Sequence, residues 1–198
     1  MREISPAENM TAEEYLELLP NEFREIVNKI REEKKNGKRP VPSSNLIDKS
    51  NLLEQKNRSK LIDQVALLVD ENLAGRSEMC IQFAILLSRA LEYLKLPSKI
   101  KMGTAMYFDS GKEIFRWDHC WVRIGDEVID GNVDILYENP MVPESVKVQP
   151  YWGSIKLTPP DRRLRENRNM SIPDDTDVEN FWWPDLKKFI DNELSIAN

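Results

Sequence analysis

The chain has 198 residues, with 28 Lys+Arg against 34 Asp+Glu, one histidine, two cysteines and a net charge of −6. That length fits one domain of roughly 100–200 residues, and the acidic balance excludes a protein whose main partner is nucleic acid, because phosphate binding rests on clustered positive charge. Two cysteines and one histidine exclude a disulfide-dense scaffold and leave a four-ligand Cys/His zinc site one ligand short.

The first residues, Met1-Arg2-Glu3-Ile4-Ser5-Pro6, lack the apolar centre of a signal peptide, and the longest apolar run, residues 80–87, is too short to cross a bilayer. The expectation is a cytoplasmic protein with no membrane partner. In chain order, Thr11-Ala12-Glu13-Glu14 forms a capping box before apolar residues at helical spacing, and Pro20 starts a second helix over residues 21–35. Asn36-Gly37 closes that helix, and residues 39–44 read as an extended linker, so the first section is expected to be mainly helical. Leu61, Ile62, Val65, Leu68, Val69 and Leu73 predict a helix over 59–74 ended by Gly75. Ser77 then reads as the cap of a helix running to about Leu94, apolar around most of its circumference and therefore buried on several sides.

After Leu96-Pro97 the period changes to two. Residues 99–108, 114–124 and 127–133 predict three strands in an antiparallel meander, and 146–157 a further strand. Pro159-Pro160 opens a polar stretch with Arg162, Arg163, Arg165 and Arg168, read as a solvated loop able to steer an acidic peptide. A final amphipathic helix is expected near 185–194. The division expected is a helical extension over 1–58, a core over 59–158 and a Pro/Arg-rich tail with a C-terminal helix over 159–198, together one compact unit.

Three separated residues could carry chemistry. Cys80, near a helix start, has its sulfur close to unpaired N–H groups and the positive end of the dipole, both of which favour the thiolate. His119 lies in a strand. If Gly125-Asp126 is a two-residue turn, Val122 pairs with Ile129 and Trp121 with Asp130. Cys120, Val122, Ile124, Ile129 and Val133 then form the core face, and His119 and Asp130 are diagonal neighbours on the other, where the acid can orient the imidazole. A three-residue loop would instead bring Asn132 or Asp134 into question. Cys120 is read as packing, Trp121 as a candidate lining for a substrate groove, and Lys99, Lys101 and Arg123 as solvated rim charges.

Residues 79–100, which begin Met79-Cys80-Ile81-Gln82-Phe83, resemble the nucleophile helix of the transglutaminase-like superfamily followed by its leucine-proline turn into the first strand. His119-Cys120-Trp121 is similar to that family's His-x-Trp strand, and Val128-Ile129-Asp130 to the strand bearing its acid. The likeness spans about residues 75–134. It implies a papain/transglutaminase-like α+β core, with a buried nucleophile helix packed on an antiparallel sheet. It also implies Cys80 as nucleophile, His119 as general base and acid, and Asp130 as orienting carboxylate.

The resulting expectation is cysteine-dependent acyl chemistry on a peptide or carboxamide through a thioester, with hydrolysis by water preferred to transfer onto an amine because water needs no second binding site. No cofactor and no metal is expected. A metal site built from His119, Asp118, Asp130 and Asp134 lacks ligand spacing of the usual kinds. The alternative is an inactive domain of the same fold that binds a protein partner.

Overall fold

The computed structural model describes residues 17–18, 20–72, 75–167 and 175–194. The capping box at 11–14, Leu73, Ala74 and Arg168 lie outside them. Among the described residues there are four α-helices: α1 (Asn21–Lys35), α2 (Gln55–Val69), α3 (Cys80–Tyr93) and α4 (Trp183–Glu193). Six strands form one mixed sheet: β1 (Ile47–Lys49), β2 (Lys99–Asp109), β3 (Lys112–Ile124), β4 (Glu127–Asp130), β5 (Tyr151–Ser154) and β6 (Arg162–Glu166), in the order β1-β5-β4-β3-β2-β6. The β1–β5 pair is parallel and the others are antiparallel. The α+β class expected from the sequence is present, and no described helix is long and apolar enough to cross a membrane.

Proline 20, which carries no amide proton, stands at the N-cap of α1, and Asn36 with Gly37 at φ 63° ends it. Helix α2 buries Leu61, Ile62, Val65, Ala66, Leu68 and Val69, one continuous stripe. Helix α3 buries Phe83, Ala84, Leu86, Leu87, Ala90 and Leu91, which leaves it no wholly wet face. These side chains meet Cys120, Val122, Ile129 and Trp152 from one face of the sheet, and Leu186 and Ile190 of α4. Each fully buried Leu or Ile here contributes about 1.5–3 kcal/mol by removal from water, so this helix-on-sheet layer is the main source of stability.

The opposite face is not bare. Trp121, Val128 and Tyr151 form one buried cluster on it, and Ala105, Tyr107, Val133, Leu136, Val142, Val146 and Val148 another. The segment after β4 lies over this face, so the sheet is covered on both sides.

Several local expectations are corrected. Residues 39–44 are not a plain extended linker: Pro42–Asn45 is a 3₁₀ turn, Arg39 pairs with Asp70, Glu33 and Glu138, and β1 follows and joins the sheet. The strand placed over 146–157 is confined to Tyr151–Ser154, because Val146 and Val148 are used as loop anchors in the second cluster and Ile155–Leu157 turns as 3₁₀. Strand β4 ends at Asp130, so alternation no longer governs Val133, which buries in the second cluster. The polar stretch after Pro160 contains strand β6, paired with β2, instead of a solvated loop. A run of arginines hides its strand character because β6 is an edge whose outward side chains are wet.

Gly131, directly after β4, packs under α3. A Cβ there would lie 2.6 Å from the Phe83 ring. Gly131→Ala is therefore expected to lower stability by about 1–3 kcal/mol through overpacking, seen as a lower urea midpoint with an unchanged slope.

Candidate active site

The N-terminus of α3 is built by the turn before it. Ser77 is buried in that turn instead of capping the helix, Met79 takes the N-cap position, and Cys80 is the first helical residue. Arg76 fixes the turn: its guanidinium is 1% exposed, bonds both carboxylate oxygens of Asp134 at 2.6 and 2.8 Å, and its own carbonyl accepts from Asn132 at 2.7 Å. The segment after β4 is thereby tied to the segment before Cys80. Asn132 and Asp134 are used in this clamp, whereas the hydrogen-bond partner of His119 among the described residues is Asp130.

On the sheet, the two-residue turn at Gly125-Asp126 sets the expected register, with Val122 opposite Ile129, Arg123 opposite Val128 and Ile124 opposite Glu127. His119 and Asp130 fall on the same face, and His119 Nε2 lies 2.7 Å from Asp130 Oδ1, both side chains fully buried. The other ring nitrogen, Nδ1, makes no hydrogen bond among the described residues, and the charge of Cys80 acts on the imidazole. Across from His119 on β2 stands Gly103, where a Cβ would strike the Arg165 carbonyl.

Beyond Val122, β3 has no β4 partner in the ladder. Cys120 lies in the apolar cluster between α3 and the sheet, and Cys80, the first residue of α3, packs against that cluster. The nearby Cys120 thiol lowers the Cys80 pKa; burial opposes it, and the charge of His119 lowers it further, to about 4. Burial alone would lower the His119 pKa, but the charge and hydrogen bond of Asp130, aided by Cys80, raise it to about 10. Between those values the pair is a thiolate and an imidazolium.

Asp130 holds its charge against complete burial because His119 and Arg162 both attend it, and its pKa is lowered. Arg162 Nη1 lies 2.8 Å from Asp130 Oδ2, with both side chains fully buried. Arg162 also bonds Asp161 at 2.9 Å and the Gln149 carbonyl. Sequence reasoning misses this residue, which stands at the head of a polar, arginine-rich stretch. The available signal is the period of two: Arg162 and Leu164 share a parity, and both turn inward.

Trp121 is 1% exposed, packed with Val128 and Tyr151, its ring centroid 6.2 Å from that of His119. It backs the imidazole instead of lining an open groove. Lys101 and Arg123 both pair with Glu166, at 3.0 and 3.1 Å. Glu78 is electrostatically coupled to Cys80 and held by Asn139; burial first, then the nearby sulfur, raises its pKa. Among the described residues no cluster of three His, Cys, Asp or Glu side chains could hold a metal ion. No family model, curated protein or solved structure matches the chain.

Two measurements follow from this geometry. The rate of iodoacetamide alkylation at Cys80 should be nearly the same at pH 6 and pH 8, whereas a thiol with the ordinary pKa of about 8.5 would slow by about 75-fold. In His119→Ala the slope should return toward the ordinary one. Arg162→Met should lower stability by about 3–5 kcal/mol, read by denaturant unfolding, because it strands the Asp130 carboxylate in the interior.

Proposed function

We propose that the chain is a cysteine-dependent acyl enzyme with a papain/transglutaminase-like core, in which Cys80 is the nucleophile, His119 the general base and acid, and Asp130 the orienting carboxylate. The observation that carries this reading is the directed chain from Arg162 through Asp130 and His119 to Cys80. A buried carboxylate on Nε2 fixes the tautomer and leaves Nδ1 toward the sulfur, which is the arrangement a nucleophile, base and orienter require.

In the forward step the Cys80 thiolate attacks the carbonyl carbon of a peptide or carboxamide substrate. The negative charge that develops on the carbonyl oxygen is near the free N–H groups at the start of α3. His119, protonated at Nδ1, gives that proton to the departing nitrogen, and the acyl group remains on sulfur as a thioester. Neutral His119 then takes a proton from water, whose oxygen attacks the thioester and releases the acid and the thiolate. An amine in place of the water would give transfer; hydrolysis is the simpler outcome because it needs no second binding site.

Asp130 takes up no proton in this cycle. With Arg162 on one oxygen and His119 on the other it stays anionic, and it stabilises the imidazolium that the thiolate form requires. The support is the geometry of this chain's own residues.

The decisive experiment is incubation with a set of peptides and carboxamides followed by acid quench and intact-mass analysis. The expected result is a mass increase on Cys80 that hydroxylamine removes and that Cys80→Ala abolishes. Asp130→Asn should slow acylation by orders of magnitude while leaving Cys80 present and titratable. Release of ammonia or a new amino terminus distinguishes deamidation from peptide cleavage. No adduct with any carbonyl substrate, including an activated thioester or aryl ester, would favour the binding-module reading.

A further inference from the structure

Helix α3 lies against β2 and β3 and leads into β2 through a short connection, where Ser88 Oγ is 2.7 Å from Ser98 Oγ just before the strand begins at Lys99. Cys80 is eight residues before Ser88, about 12 Å along the helix axis. The strand runs back beneath the helix, and that distance covers about four strand residues. Cys80 therefore stands level with Met102 and its cross-strand partner Cys120, which share the apolar cluster that Cys80 packs on.

The sheet continues past that level and the helix does not. Two residues on, on the same face, Thr104 lies between Asp118 of β3 and Arg165 of β6; two further on, Met106 lies between Arg116 and Arg163. These rows are about 7 and 14 Å beyond Met102. Thr104 and Met106 are half-buried and the four charged side chains are exposed, whereas the reverse face of the same strands is closed by Ala105, Tyr107 and Leu164. Among the described residues, no apolar cluster covers this outer half of the helix-side face.

Its unengaged charge is arranged by side. Arg116 is held by Glu113 at 2.6 Å, and Arg163 lies over the Phe108 ring, 4.9 Å from its centroid. Arg165 has no ion-pair or hydrogen-bond partner among the described residues, and it lines a shallow cavity of about 280 Å³ with Thr104, Glu166 and Asn167. The carboxylate of that cavity, Glu166, is already taken by Lys101 and Arg123. The β6 flank thus offers two guanidiniums, whose planar fork matches a carboxylate. On the other flank Asp118 carries the opposite sign and turns an acidic side chain toward β6.

We propose that this floor binds the substrate, an acidic peptide laid along β2 with its reacting carbonyl at Cys80 and its carboxylates on Arg165 and Arg163. An extended chain repeats every two residues at the spacing of these rows, so the acidic side chains fall about two and four positions from the reacting residue. The substrate class rests on Cys80 as the nucleophile; the binding of the peptide does not.

The test uses the full chain and fluorescein-labelled peptides of equal length with alternating Glu-Ser, Gln-Ser or Lys-Ser, read by fluorescence anisotropy. The Glu-Ser peptide should bind about tenfold or more tightly than Gln-Ser, lose affinity with added salt, and slow the alkylation of Cys80 by iodoacetamide. The double variant Arg163→Glu/Arg165→Glu should weaken that binding by about tenfold and abolish the protection. Lys99→Glu, a charge reversal on the reverse face, should leave both unchanged. Equal affinity for the Glu-Ser and Gln-Ser peptides, binding that leaves Cys80 unprotected, or an equal loss in Lys99→Glu overturns the proposal. Peptide preference and protection are read on the unaltered chain, so a variant that misfolds does not change the outcome. A chain that binds the Glu-Ser peptide over Cys80 but never yields a thioester loses the acyl reading and keeps this one.

Discussion

The Asp130 carboxylate, wholly buried and shared between His119 and Arg162, is the interaction on which the candidate site depends. An isolated carboxylate in a protein interior gives up its charge by taking a proton. Here two cations attend it, one on each oxygen, so it remains charged and can in turn hold a proton on His119. The imidazolium then stabilises the Cys80 thiolate. Charge alternates along the whole chain of four groups, and removing any one leaves its neighbour unpaired in a low-dielectric setting.

The fold is arranged to make that alternation reachable. Helices stack on one face of the sheet and would, by themselves, present α3 only to Cys120, Val122 and Ile129. His119 and Asp130 belong to the other face. Strand β4 is short and ends at Asp130, so β3 has no β4 partner in the ladder beyond Val122, beside Cys120 and His119. The Arg76–Asp134 clamp sets the turn before Cys80 against the end of β4, and Gly131 lets Phe83 come close at the same place. Reactive residues at element ends, held by buried ion pairs in the adjoining loops, are positioned more rigidly than loop residues alone would be.

Arg162 also explains why β6 belongs to the site although none of its residues touches Cys80. Strand β6 pairs with β2 at the far edge from β4, with Arg162 opposite Tyr107. Its guanidinium nevertheless reaches Asp130 and the Gln149 carbonyl beside β5. Side chains from both outer parts of the sheet therefore converge over one face. Tyr107 Oη and Trp121 Nε1 are buried there without hydrogen-bond partners among the described residues, so this interior is polar at its centre and apolar around it.

Much of this is legible in the sequence because it depends on local rules. Helical spacing locates α1, α2 and α3, and a two-residue turn at Gly125-Asp126 fixes the β3–β4 register, hence the side-by-side placement of His119 and Asp130. The start of α3 is not readable to the residue, since Ser77 is a good cap by type but is claimed by a buried turn that Arg76 anchors from Asp134, 58 positions away. Contacts at long separation leave no periodicity. That is why Arg162, an arginine among arginines, reads as solvated, whereas Cys120, read as packing on the core face, does lie in the apolar cluster. Local pattern determines which residues share an element and a face; only the tertiary structure decides which sulfur, nitrogen and carboxylate meet, because strand edges and buried charges are completed by partners from elsewhere in the chain.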